Sequence, residues 1–175
     1  KGVRRTKSRF GARLEPFSHV DLQCHIGRSL DVVTQVECLH AYGSVLRGHW
    51  PAWTAGQAIL EAADRMVSEE REPAQGQYQL LLGALNALAG NAHDSGLVLD
   101  AYLLRACGLA GYAPALDVCV ACGGDSGLTW FHIPSGGTMC SNCCEAGASP
   151  LAESSRLLMV ALMSGDWESA DVSDE

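Results

Sequence analysis

Two cysteine pairs, Cys119-x2-Cys122 and Cys140-x2-Cys143, separated by seventeen residues, constrain this chain more than any other feature. Two residues between cysteines let both thiolates of a tight turn face one ion, and two such turns complete a tetrahedron with Zn–S distances near ~2.3 Å. Gly123, directly after Cys122, fits such a turn because a residue without Cβ takes positive φ at no steric cost. Leu128 to Ile133 is short and strand-like, and Gly136-Gly137 supplies a reversal, so the spacing predicts a zinc ribbon. Four protein ligands leave no coordination position for water. One structural Zn2+ on Cys119, Cys122, Cys140 and Cys143 is therefore expected to staple a stretch too small to form a core alone. A redox pair of CxxC motifs needs a surrounding βαβ pattern, which the sequence lacks. Cys144 is an alternative to Cys143 as ligand, but Cys143 keeps the two-residue spacing. His132 reads as a packed or surface histidine.

The redox environment follows from what surrounds the cysteines. The chain starts at Lys1 and shows no basic segment, apolar stretch and small-residue cleavage site in succession, so its eight cysteines are read in a reducing, cytoplasmic compartment. Apolar runs such as Leu157 to Met163 fall far short of the roughly 18 to 20 residues a membrane-spanning helix needs, so no membrane partner is expected. With 47% hydrophobic residues in 175, the chain is long enough for one ordinary core or two small ones.

Charge is unevenly placed. Lys1, Arg4, Arg5, Lys7, Arg9 and Arg13 precede the first acid, Glu15, whereas residues 15–175 carry a net −14 within an overall −8. An acidic body repels a polyanion at long range, so nucleic-acid contact is expected to concentrate on those six cations, with Phe10 or Phe17 offering a ring for base stacking. A solvated loop is the competing reading of the same stretch. After Arg156 only acids follow, among Gly and Ser, which reads as a solvated tail.

Val20, Leu22, Cys24 and Ile26 alternate with Asp21, Gln23 and His25, and Leu30, Val32, Thr34, Val36 and Cys38 resume the alternation after Gly27-Arg28. This pattern predicts a hairpin with both cysteines packed on its apolar face. From about residue 41 the period becomes helical. Thr54 and Gln57 suggest a capping box, and Pro73 a stop, for a helix carrying Ile59, Ala62, Ala63, Met66 and Val67. A second stripe runs from Tyr78 to Ala89 ahead of Gly90-Asn91, and a third from Leu99 through Cys107 to Ala110 ahead of Gly111. Ser149 as N-cap with Pro150 behind it predicts a last helix ending before Gly165. The helices are expected to pack as a bundle.

A catalytic set is harder to find. No histidine begins an H-x-E, and neither H-E-x-x-H nor a phosphate-binding G-x-x-x-x-G-K-[ST] occurs, which excludes zinc deaminase, zincin and P-loop chemistry. Gly124-Asp125-Ser126-Gly127 sits inside the cysteine region, without the β-barrels a serine protease needs. Glu61, Asp64, Glu69, Glu70 and Glu72 read as a solvated helix face. A non-enzymatic role is expected.

The order of parts resembles a known family. Lys1-Gly2-Val3-Arg4-Arg5, Ser8-Arg9-Phe10-Gly11 and Leu14-Glu15-Pro16-Phe17 lead into the hairpin. Later come Tyr102 to Gly108, Gly111-Tyr112-Ala113-Pro114-Ala115-Leu116, Phe131 and the four cysteines. Together these are similar to the bacterial RecO family over essentially the whole chain, in an Ala- and Gly-rich, actinobacterial-like version. The resemblance implies an α+β fold, with an incomplete N-terminal OB-fold β-barrel at residues 1–40 and an α-helical C-terminal domain at 41–175, into which a zinc ribbon is inserted at 117–146. It also implies that strands preceding Lys1 and a closing C-terminal helix belong to the complete protein. The expected function is that of a recombination mediator. Such proteins bind single- and double-stranded DNA, anneal complementary strands, and work with RecR to load RecA on DNA coated by single-strand-binding protein, whose acidic C-terminal tail they engage. Lys1, Arg4, Arg5, Lys7, Arg9 and Arg13 carry over as phosphate contacts, and an apolar pocket rimmed with Arg is what a short acidic tail needs. The alternative is a zinc-stapled protein interaction module with little DNA binding of its own.

Overall fold

The computed structural model describes residues 8–28, 30–67 and 73–172. Lys1, Arg4, Arg5 and Lys7 therefore lie outside the described residues, as do Glu69, Glu70 and Glu72. A 3-10 turn at Gly11–Arg13 leads to an antiparallel hairpin, β1 (Ser18–His25) and β2 (Val32–Ala41). The helical part follows: α1 (Tyr42–Leu46), α2 (Trp50–Met66), α3 (Gln75–Gly90) and α4 (Ser95–Leu109). A small sheet comes next, with β3 (Leu128–His132) between β4 (Gly137–Cys140) and β5 (Ser149–Pro150), and α5 (Glu153–Ser164) and α6 (Trp167–Val172) close the described chain. The result is a mixed arrangement of helices and strands. Among the described residues no helix is long and apolar enough to cross a membrane.

The principal core joins hairpin to helices through one residue. Phe17, in the left-handed region at φ 66°, places its ring in the core beside Trp53, with centroids 4.7 Å apart. Gly56 leaves the room, since a Cβ there would come within 2.7 Å of the Phe17 ring. Around this plug Tyr42, Leu46, Ile59, Leu85, Leu88 and Tyr102 are buried. Phe17 is thus a core anchor and not the stacking platform expected of it. Phe10 is half-buried, with the Arg9 guanidinium 4.7 Å above its ring.

Several sequence expectations need correction. Helix α2 starts at Trp50 with Pro51 in its first turn, and Thr54 Oγ1 donates back to the carbonyls of Trp50 and Pro51 instead of capping. It ends at Met66, well before Pro73. Ser149-Pro150 is a strand paired with Phe131 and Trp130, so α5 begins at Glu153 without a side-chain cap. The described part of the acidic segment after Arg156 is largely helical, and α6 buries Ala170 completely, while Asp174 and Glu175 lie outside the described residues.

Cys24 and Cys38 are both exposed, against the expectation of core packing. Gln23 pairs Gln35 while Cys24 pairs Val33, and His19 pairs His40 while Val20 pairs Cys38, so Thr34 and Leu39 are extra residues in β2. Each bulge breaks the two-residue alternation. Of the hairpin's apolar residues, Val36 is buried, whereas Ile26, Leu30 and Val32 are exposed.

Candidate metal centre and binding grooves

The four predicted cysteines meet. The Sγ atoms of Cys119, Cys122, Cys140 and Cys143 all lie within 4.8 Å of one another, with Cys122 and Cys140 at 3.9 Å. The first pair turns because Cys119 N–H donates to the Gly124 carbonyl (2.7 Å) and Gly123 N–H to the Cys119 carbonyl (2.8 Å), with Gly123 at φ 74° as its position requires. The second pair turns on Cys143 N–H donating to the Cys140 carbonyl at 3.0 Å. Backbone amides of Cys140 and Cys122, in that order of effect, lower the Cys119 thiol to about 6 despite its burial. Hydrogen bonds from the Cys140 and Cys122 side chains push the Cys143 thiol up to about 12. Such a set can hold one thiophilic ion: amides stabilise thiolate on one side, and crowding among the thiols is relieved when a cation takes their protons' place.

Neither alternative ligand joins the set. Cys144 is exposed, and His132 is buried with its Nδ1 2.7 Å from Ser135 Oγ. The unit is fastened to the chain before it by Ala115, whose N–H donates to Gly136 O and whose carbonyl accepts from Thr138 N–H. Gly137 faces this crossing, where a Cβ would lie 2.5 Å from the Ala115 oxygen. Cys119, Leu128 and Met139 form a small buried cluster around the cysteines.

Of the six candidate phosphate contacts, only Arg9 and Arg13 are described. Arg9 Nη2 donates to the Thr34 carbonyl at 2.8 Å, and Arg13 Nη1 to the Val36 carbonyl at 3.0 Å. Thr34 is a bulge residue, which leaves its carbonyl to a side chain. Both guanidiniums face a groove of 1130 Å³ beside the hairpin, together with Asp21 and Glu37, which stand directly opposite each other on β1 and β2. Each guanidinium retains donors for an anion, but two carboxylates share its surroundings.

A second groove was not assignable from sequence. It encloses 680 Å³ between α3 and α4, with Leu80, Gly83, Ala87 and Leu104 among its walls, and Arg105 and Trp167 on the α5 side. Arg105 Nε donates to the Met163 carbonyl at 3.2 Å. A Cβ at Gly83 would meet nothing within 4 Å, so the groove exists because small residues face each other on two helices. The sequence signal was the run of Gly and Ala in both stripes, which reads equally well as close helix packing.

Asp94 was also missed. Its Oδ1 accepts from Gly96 N–H and Leu97 N–H as the N-cap of α4, and an Asp before a helical stripe was the available signal.

Comparison with known proteins completes the picture. Residues 47–175 match the family pattern described as Recombination protein O C terminal, and residues 1–42 match Recombination protein O N terminal. The DNA repair protein RecO of Thermobifida fusca (strain YX) is 58% identical over 175 residues, covering 100% of this chain and 72% of that protein. With both halves matched, the chain belongs to the RecO family of DNA repair proteins.

Proposed function

We propose that the chain acts as a recombination mediator: it binds single- and double-stranded DNA, anneals complementary strands, and with RecR helps load RecA on DNA coated by single-strand-binding protein. The observation that carries this reading is the groove between α3 and α4. Its apolar walls suit the end of a short peptide and Arg105 suits a carboxylate, the two needs of the acidic tail of single-strand-binding protein. Within the same reading, the hairpin is part of an OB barrel, the β3–β5 unit with its cysteines is a zinc ribbon, and the protein works in the cytoplasm on the nucleoid. Zn2+ supplies structural cross-linking when bound, and the four cysteines hold it.

Annealing needs no covalent step, so no catalytic residue is invoked. Cations that neutralise phosphates on two strands lower their repulsion and leave base edges free to pair. Arg9 and Arg13 are the described candidates, and Lys1, Arg4, Arg5 and Lys7 complete the set proposed from sequence.

A second reading has its own observation. Arg9 and Arg13 already serve β2 carbonyls next to Asp21 and Glu37, which favours a zinc-stapled interaction module that leaves most DNA contact to other parts of the complete protein. Fluorescence anisotropy of labelled single-stranded DNA across several salt concentrations separates the two. Six engaged cations give a slope of log K against log salt of about −4, and Arg9→Glu with Arg13→Glu makes it shallower by about 1.4, from roughly 0.7 per contact. Binding with no salt slope, or unchanged by the double variant, supports the interaction module.

A further inference from the structure

Helix α6 is the chain's own acidic, aromatic segment, and it lies against the groove just described. Gly165, at φ 78°, ends α5 and turns the chain, and Asp166 accepts from Ser169 N–H and Oγ to start α6. Trp167 packs on both the principal core and the α4/α5 cluster, and also lines the groove. Arg105 sits beside the same turn, its Nη2 2.5 Å from where a Gly165 Cβ would be.

One residue ties α6 to the distant α3–α4 loop. The His93 ring stacks on Trp167, with centroids 4.1 Å apart and planes 15° apart, and its Nδ1 lies 2.8 Å from Asp171 Oδ2. A helix of six residues does not persist alone in water, so α6 is formed only while docked. His93, Trp167 and Ala170 make that docking.

We infer that α6 is an internal competitor for the α3/α4 groove. Its Trp167 closes the α5 side, and Asp166 and Glu168 repel an acidic peptide approaching Arg105. Such a ligand therefore binds fully only when α6 lifts from His93. This inference rests on the reading of the groove as an acidic-peptide site. The resemblance in chemistry is direct: Trp167, which lines the groove with Arg105, stands between Asp166 and Glu168 in sequence, and an aromatic residue beside acids is what the groove is read to accept from a partner.

The test uses the whole chain, with a fluorescein-labelled synthetic nonapeptide of acids ending in Asp-Asp-Phe as probe. His93→Ala removes the stack and the hydrogen bond to Asp171 and changes no residue that lines the groove. Asp171→Asn removes only the charge of an exposed partner and does not threaten the fold. We expect His93→Ala to tighten peptide binding about threefold to tenfold and Asp171→Asn about twofold, the range for one aromatic pair and one exposed hydrogen bond. Gly83→Leu, which fills the groove, abolishes binding in every background. Equal affinity for wild type and both variants, with Gly83→Leu still blocking, overturns the competitor role and leaves the groove reading intact. Weaker binding by His93→Ala makes α6 part of the peptide site and overturns the inference. Absence of binding by all variants removes the groove reading and this inference with it.

Discussion

Arg156 of α5 donates from Nη1 to the main-chain carbonyl of Leu116, 3.0 Å away, and thereby ties the helix that follows the cysteine unit to the segment that enters it. Its Nε and Nη2 form a two-point bond with Glu153, and the Arg156 side chain is only 15% exposed. Arg156→Ala is expected to lower the melting temperature by about 3–6 °C. Lysine is not expected to rescue it, because one ammonium does not reproduce the fork. Arg156 holds the Glu153 carboxyl below the ordinary carboxylate range. The ion-pair part of the effect is therefore present above that range and lost as pH falls through the lowered value. Thermal melts at neutral and strongly acidic pH separate it from the Leu116 bond.

Metal content distinguishes ligands from neighbours. Wild type is expected to carry one zinc per chain by elemental analysis, and Cys119→Ser or Cys143→Ser to carry almost none. Cys144→Ser should keep it in full, because that thiol stands outside the cluster. Chelation is expected to erase amide protection in β3, β4 and β5 while far-UV circular dichroism retains most of the helical signal, since the principal core contains no residue of the cysteine unit. Simultaneous loss of both signals would contradict the separation.

Gly137 tests the crossing beneath the cysteines. A methyl there meets the Ala115 oxygen at 2.5 Å, Val120 Cγ1 at 2.8 Å and Ala115 Cβ at 2.9 Å, two of them on the one residue Ala115. Gly137→Ala is expected to cost about 1–3 kcal/mol and to speed zinc loss to a chelator. Gly83→Ala, facing open space within α3, is expected to be neutral or slightly stabilising. The comparison isolates crowding from chain entropy.

Burial, and then the charge of Asp94, raise the Asp100 carboxyl above its ordinary range. A carboxyl whose folded value lies above its unfolded one makes the folded chain bind more protons, so stability falls as pH rises through that interval. Asp100→Asn is thus expected to stabilise the protein slightly at neutral pH, an effect that solvent screening at this exposed position keeps small. The advantage should vanish well below the ordinary carboxylate range. Urea titrations at two pH values measure it.

What the sequence made legible was set by local chemistry. The cysteine spacing located the four-cysteine cluster because ligand geometry is encoded within each four-residue turn, and Gly123 at positive φ follows from the same constraint. The C-terminal end of α3 was readable because Asn91 takes the left-handed conformation that Gly90-Asn91 announces. Thr54, Ser149 and Pro150 misled for the opposite reason. Their side chains favour helix starts, but the Pro51 turn and the pairing of Ser149-Pro150 with β3 decided their roles. Cys24 and Cys38 were misplaced because two bulges in β2 are invisible to a two-residue alternation. The α3/α4 groove needed the tertiary structure, since it is a space that Gly83 and Ala87 leave unfilled.

The pairing of Arg9 and Arg13 with Thr34 and Val36 has a consequence for solubility. Acceptors two residues apart lie along one side of a strand, and open rows of this kind invite zippering with a second molecule. Two guanidiniums seated on those carbonyls deny a foreign strand its footholds and add charge where it would dock. Arg9 and Arg13 thus act as a guard against fibre-like self-association, and losing both should show first as turbidity on concentration.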